Sequence, residues 1–236
     1  MKKYKLVLIS SIIVILIACS AIAVYFFGFY FPEKQKNKEI EQIFNQYYQT
    51  KLSIYQTENE NYDDYQVDVA FLGDSLTDGY DLSKYYPQYT TANRGIGGDT
   101  SFGLENRLQI SLYDLKPKVA VILIGGNNLN TMFENYERML QDIKNKSQNT
   151  KIILCSLTAM GKDWANKNQL AAYNNVIIKK LAIKYDYAFV DLFTPLFDEV
   201  AGQIYSVYTT DGAHLTSDGY QVLTNSILPQ ISELIK

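Results

Sequence analysis

The stretch "VAFLGDSLTDGY", Val69 to Tyr80, decides how the rest of the chain is read. Its apolar half stops at Gly73-Asp74-Ser75, and a polar segment able to open a helix follows. A short continuous apolar run reads as a strand covered on both faces, whereas a half-exposed strand alternates. Four comparable runs lie downstream: "YTTANRG", "VAVILIGG", "KIILCSL" and "YAFVDL". Between them stand the amphipathic stretches "SFGLENRLQISLYDL", "NYERMLQDIKNKS", "NQLAAYNNVIIKKLAIKY" and, last, "SDGYQVLTNSILPQISELIK". Strand–helix alternation implies parallel pairing through right-handed crossovers. The expected fold is a three-layer α/β/α sandwich around a sheet of about five parallel strands in flavodoxin-like order. Ligands of such sheets bind beyond the carboxyl ends of the strands, so the residues that end each run carry the functional question.

Composition narrows the classes. A chain of 236 residues, 47% hydrophobic and 20% charged, has material for one α/β domain plus an extension. Its net charge of -3 leaves no basic footprint for nucleic acid. Two cysteines and one histidine give no zinc-type spacing, and neither a metal nor an organic cofactor is expected. Cys19 and Cys155 both lie in apolar runs, an arrangement that does not suggest an intrachain disulfide.

The extension is N-terminal. After "MKKYK" come about 26 residues without a charge, "LVLISSIIVILIACSAIAVYFFGFYF", long enough to cross a bilayer as a helix. Lysines before this run and aromatics at its far end favour a single-pass anchor at the cell membrane with the rest outside the cytoplasm. Two other readings stay open. "LIAC", Leu16 to Cys19, resembles a bacterial lipoprotein cleavage box, which would lipidate Cys19, and an ordinary cleaved signal would release a secreted protein. The domains expected are a membrane segment at 1–32, a juxtamembrane helix and linker at 33–62, and the α/β domain at 63–236. The helix rests on Ile40, Ile43, Phe44, Tyr47 and Leu52 at helical spacing, with "TENENYDD" as its exit loop.

Each strand end offers a residue type that acyl transfer uses. Ser75 would sit at a helix start, where backbone donors favour developing negative charge. Ser and Asp are also ordinary helix caps, so the tetrapeptide alone does not make Ser75 a nucleophile. "NRGIGGDTS" places Gly98 where its amide could meet an oxyanion, or simply makes a tight turn. "IGGNNL" offers the side-chain amide of Asn127 for the same purpose, or two turn residues. "TTDGAHLTSDGY" holds His214, the single histidine, with Asp211 three residues before it. A serine needs a base that works near neutrality, and that base needs an acceptor to fix its tautomer.

Taken together, "FLGDSLTDGY", "NRGIGGDTS", "GGNN" and "DGAHLTSDGY" resemble the blocks of the SGNH (GDSL) hydrolase superfamily, in their order, from about Asp63 to the C-terminus. The branch resembled contains platelet-activating-factor acetylhydrolase-like, lysophospholipase-like and carbohydrate esterases. The resemblance implies Ser75 as nucleophile, Asp211 and His214 as its partners, and an oxyanion hole from the Ser75 amide, the Gly98 amide and Asn127. Asn128 stands where the family commonly has a structural aspartate. The expected activity is hydrolysis of small acyl esters, acetyl above all, on a carbohydrate or cell-envelope substrate. A lysolipid substrate, an acyltransferase reaction on a surface polymer and a non-catalytic binding module are the alternatives. Trp164, the single tryptophan, and Tyr208 are candidate substrate contacts on loops near the site.

Overall fold

The computed structural model describes residues 18, 20, 22 and 24–236. The chain divides after Thr50, and the second unit, Lys51–Lys236, holds the sheet. In the first, a π-type turn at Phe26–Tyr30 leads into a helix, Phe31–Asn59, that continues across the division. No helix among the described residues is long and apolar enough to cross a membrane. Most of the expected membrane segment, Cys19 included, lies outside the described residues.

Five parallel strands form the sheet: β1 (Val69–Gly73), β2 (Thr91–Gly95), β3 (Val119–Leu123), β4 (Lys151–Cys155) and β5 (Ala188–Val190). Their order is β2-β1-β3-β4-β5, the flavodoxin-like arrangement expected from the alternation. Val69 pairs with Thr91 on one side and Val119 on the other, so the ends Gly73, Gly95 and Leu123 lie abreast. Every residue of β1 and β3 is buried. Their alternate side chains go to opposite layers. Ala70, Leu72, Ala120 and Ile122 join one core cluster, with Leu104, Met139, Ile143 and Ile178 from the helices on that face. Val69, Phe71, Val121 and Leu123 join the other, with Tyr86, Leu223, Ile227 and Ile231. Burying each of the larger apolar side chains contributes about 1.5–3 kcal/mol, which fixes the register of the sheet and the position of its ends.

Two elements differ from the sequence pattern. "SFGLENRLQISLYDL" forms a helix only over Ser101–Asn106, breaks at Arg107, and resumes as a π-type turn at Gln109–Tyr113. At the break the Arg107 side chain turns into the protein, where it is 2% exposed. The juxtamembrane helix, for its part, runs on into "TENENYDD" as far as Asn59. There Glu58 pairs with buried Arg94 at 2.5 Å and Asn59 accepts from the same guanidinium at 2.9 Å. Tertiary partners supply what a helical pattern cannot announce.

Candidate active site

Ser75 opens the four-residue helix Ser75–Asp78 directly beyond β1. Asp74 caps it, its Oδ1 accepting from the Leu76 amide at 3.1 Å. The turn depends on close backbone approach. A Cβ on Gly73 would run into the Thr77 side chain and the Leu123 carbonyl, and one on Gly95 into the Asp78 backbone. Asp74 is buried beneath the turn. Loss of solvation pushes its carboxyl up to about 6 against the Leu76 hydrogen bond, and the nearby charge of Asp99 adds to the rise.

The C-terminal loop brings an imidazole to the serine. His214 Nε2 lies 3.1 Å from Ser75 Oγ, and His214 Nδ1 lies 2.7 Å from Asp211 Oδ2. Asp211 Oδ1 accepts the amides of Ala213 and His214 at 2.9 and 2.8 Å, so the carboxylate is fixed before it meets the ring. The imidazole hydrogen bond, then those two amides, hold the Asp211 carboxyl well below the usual carboxylate range, although the side chain is half exposed. Thr209 closes the loop: its hydroxyl donates to the His214 carbonyl at 2.8 Å and accepts from the Gly212 amide at 2.8 Å. With Nδ1–H given to Asp211, Nε2 presents its lone pair to the Ser75 hydroxyl.

The other two strand ends meet across from this pair. The Asn127 side-chain amide donates to the Asp99 carbonyl at 2.8 Å. Next to it, Asn128 accepts from the Ser101 amide at 3.2 Å and donates to the Ser101 hydroxyl at 2.9 Å. Asn128 thus staples the turn after β3 to the turn after β2, and an asparagine serves this with both a donor and an acceptor. Gly98 sits in that second turn at φ 78, exposed.

A cavity of ≈ 140 Å³ opens beside Ser75 and His214. Leu76, Leu123, Leu157 and Met160 supply its apolar wall, and Asp74, Asn127 and Thr158 are among its polar lining. Trp164 lines it as well, half exposed, with the Lys167 ammonium 4.2 Å from its ring centre. Gly98 and Tyr208 are not among the lining residues. Tyr208 packs on the core between the sheet and the C-terminal helix and meets the Tyr205 ring edge-on.

Several contributors went unseen in the sequence. The loop after β4 is held from the helix Asn168–Tyr185. Asn175 bonds both backbone groups of Leu157, at 2.7 and 3.1 Å, and Asn168 both of Met160, at 2.8 Å each. Their seven-residue spacing, which puts two amides on one helix face, was the available signal. Arg107, buried among strand ends, gave none beyond its place in an amphipathic stretch.

Comparison with known proteins identifies the family. The model of the GDSL-like lipase/acylhydrolase family matches residues 71–222, more than half of the chain. None of the curated proteins matches. Among solved structures, a Streptococcus pneumoniae protein named as a platelet activating factor is 25% identical, with a TM-score of 0.74 over 84% of this chain and 99% of its own. A Bacteroides fragilis protein named as an acylhydrolase is 25% identical, with a TM-score of 0.69 over 77% and 96%. An acetylxylan esterase from Geobacillus stearothermophilus shares the fold at 21% identity, with a TM-score of 0.58 over 71% and 95%. The chain belongs to the GDSL-like lipase/acylhydrolase family and is a serine ester hydrolase.

Proposed function

We propose that Ser75 is the nucleophile of a membrane-tethered, extracytoplasmic esterase that removes small acyl groups, acetyl above all, from carbohydrate or other cell-envelope substrates. The observation that carries the assignment is the chain from Ser75 Oγ through His214 to Asp211, at 3.1 and 2.7 Å, beside a cavity of ≈ 140 Å³. Ligand pockets for larger molecules run to about 300–1,000 Å³, and an apolar cavity of about 150 Å³ takes a molecule of benzene size. A short acyl group fits such a space, and a long chain would have to leave it. Trp164 offers an aromatic face at the mouth for a sugar ring. One neighbour in fold is named for acetylxylan, an acetylated glycan, and at 21% identity it supports the fold alone.

The reaction follows from the positions. As Ser75 Oγ bonds to the ester carbon, its proton passes to His214 Nε2 and the carbonyl electron pair moves onto oxygen. The amides of Ser75 and Gly98 and the Asn127 side chain are the donors for that oxyanion. Collapse breaks the carbon–oxygen bond to the alcohol, which leaves with the proton from His214. Water then repeats the sequence on the acyl-serine and regenerates the hydroxyl. Asp211 keeps the imidazole in the productive tautomer throughout.

The test is hydrolysis of p-nitrophenyl acetate, butyrate and octanoate by the full chain in detergent, with Ser75→Ala alongside. The expected result is a preference for acetate that disappears in Ser75→Ala. Faster octanoate hydrolysis would replace the proposal with a lipid substrate, and turnover that rises only when an acceptor alcohol is added would replace it with acyl transfer. Asn127→Ala should lower kcat by roughly a hundredfold or more, as expected for loss of one oxyanion donor.

A further inference from the structure

Three segments carry the proposed oxyanion donors: the end of β1 before Ser75, the turn Gly98–Asp99, and the turn holding Asn127. One buried side chain touches two of them and connects to the third through Asp99. Arg107 Nη2 donates to the Gly73 carbonyl at 2.9 Å, two residues before Ser75. Its Nε donates to Asp99 Oδ2 at 2.7 Å, next to Gly98. The carbonyl of that same Asp99 accepts the Asn127 side chain at 2.8 Å. Nη1 completes the set on the Arg94 carbonyl and the Ser111 hydroxyl, both at 2.8 Å.

We infer that Arg107 is a positioning residue for the oxyanion donors, holding the Ser75, Gly98 and Asn127 segments to one another through Asp99 and the Gly73 carbonyl. The inference rests on the reading of these three groups as the oxyanion site. The physical case is one of geometry and dielectric. Arg107 and Asp99 are each 2% exposed, so their pairing is little screened by solvent and a fixed guanidinium fork can hold several acceptors at set angles. Burial raises the Asp99 carboxyl, and Arg107, with a smaller part from the Thr100 amide, opposes the rise. Oxyanion donors act only if they are already in place when charge develops, and small displacements cost rate rather than affinity. The break in the helix at Arg107 fits the same role, because a regular helix there would continue past the point where the side chain turns inward.

A merely structural role for Arg107 would lower stability and scale down activity alike in every background. A positioning role aligns the donors jointly, so part of its effect disappears once Asn127 is removed. The experiment is therefore a double-mutant cycle on the full chain, with kcat and KM for p-nitrophenyl acetate and the thermal midpoint of each variant. Arg107→Lys keeps a cation for Asp99 but cannot hold the Gly73 and Arg94 carbonyls together. It should lower kcat tenfold or more, leave KM within about twofold, and cost several-fold less when added to Asn127→Ala than it does alone. Ser111→Ala removes one tether of the guanidinium and leaves the pair with Asp99 intact. It should show the same pattern in a smaller measure, which keeps the test open if Arg107→Lys does not fold. The same fold-loss in both backgrounds, or an unchanged kcat in Arg107→Lys or, if that variant does not fold, in Ser111→Ala, would overturn the inference while leaving the oxyanion reading untouched. Normal kcat in Asn127→Ala would overturn the reading of Asn127 and the inference with it.

Discussion

Asp74 shows how the site loads cost onto single residues. Its carboxyl titrates near 3.8 in an unfolded chain and near 6 where it caps the Ser75 helix. Between those pH values the native state holds a proton that the unfolded state has released, so stability falls as pH rises from about 4 to about 6. At about 1.36 kcal/mol per unit, the gap corresponds to roughly 3 kcal/mol of stability missing at pH 8. Asp74→Asn keeps an oxygen for the Leu76 amide and removes the charge. Its stability relative to wild type should rise by about 2–3 kcal/mol between pH 4 and pH 8, read by urea unfolding at several pH values. A difference that does not change with pH would mean that the buried carboxylate is stabilised by groups other than those named. The sequence showed Asp74 as a cap beside Ser75. That the cap would be buried, and therefore costly to ionise, depends on Asp99 and on Gly126 across the sheet ends, which no local pattern encodes.

At the scale of elements, strands and helices were legible where one physical rule governed them. The unbroken apolar runs of β1 and β3 announced strands covered on both faces, and the alternation announced parallel order. The pattern failed where a polar side chain was needed in the interior. Arg107 cut a helix short, and the pair Glu58–Arg94 drew another out. Those residues look like ordinary members of an amphipathic surface until the fold brings their partners. Within the second unit, the last turns of the helix Phe31–Asn59 carry Tyr55, which donates to the Gly95 carbonyl and stacks beneath Arg94, 4.7 Å from ring centre to guanidinium. Lys51 adds an ion pair to Asp78, at the end of the Ser75 helix, at 2.6 Å. Glu58→Gln leaves the buried Arg94 guanidinium without its neutralising partner. Glu58 itself is half exposed, so solvent tempers the loss, and about 1–2 kcal/mol is expected. Thermal melting of the variant at neutral pH measures it, and an unchanged midpoint would mean that Asn59 and the Tyr55 ring suffice to keep that cation buried.

For the whole molecule, the strand ends and the N-terminal run make separate demands. The proposed triad comes from two places in the second unit: β1 leads to Ser75, and the loop before the C-terminal helix brings Asp211 and His214. The uncharged run of about 26 residues has a length that suits a bilayer. An ester hydrolase held at a membrane works on whatever lies within reach of the tether, so the side on which it faces decides its substrates. The proposed orientation, with Lys2, Lys3 and Lys5 in the cytoplasm, turns Ser75 toward the envelope. Protease added to intact cells that express the full chain should then remove the catalytic unit and its activity on p-nitrophenyl acetate. Palmitate supplied to the same cells should leave the protein unlabelled, because a single-pass anchor needs no lipid on Cys19. Label that disappears in Cys19→Ser would exchange the anchor for a lipoprotein without moving the enzyme. A catalytic unit that resists protease until the cells are lysed would place Ser75 in the cytoplasm, and the search for its ester would move away from envelope glycans altogether.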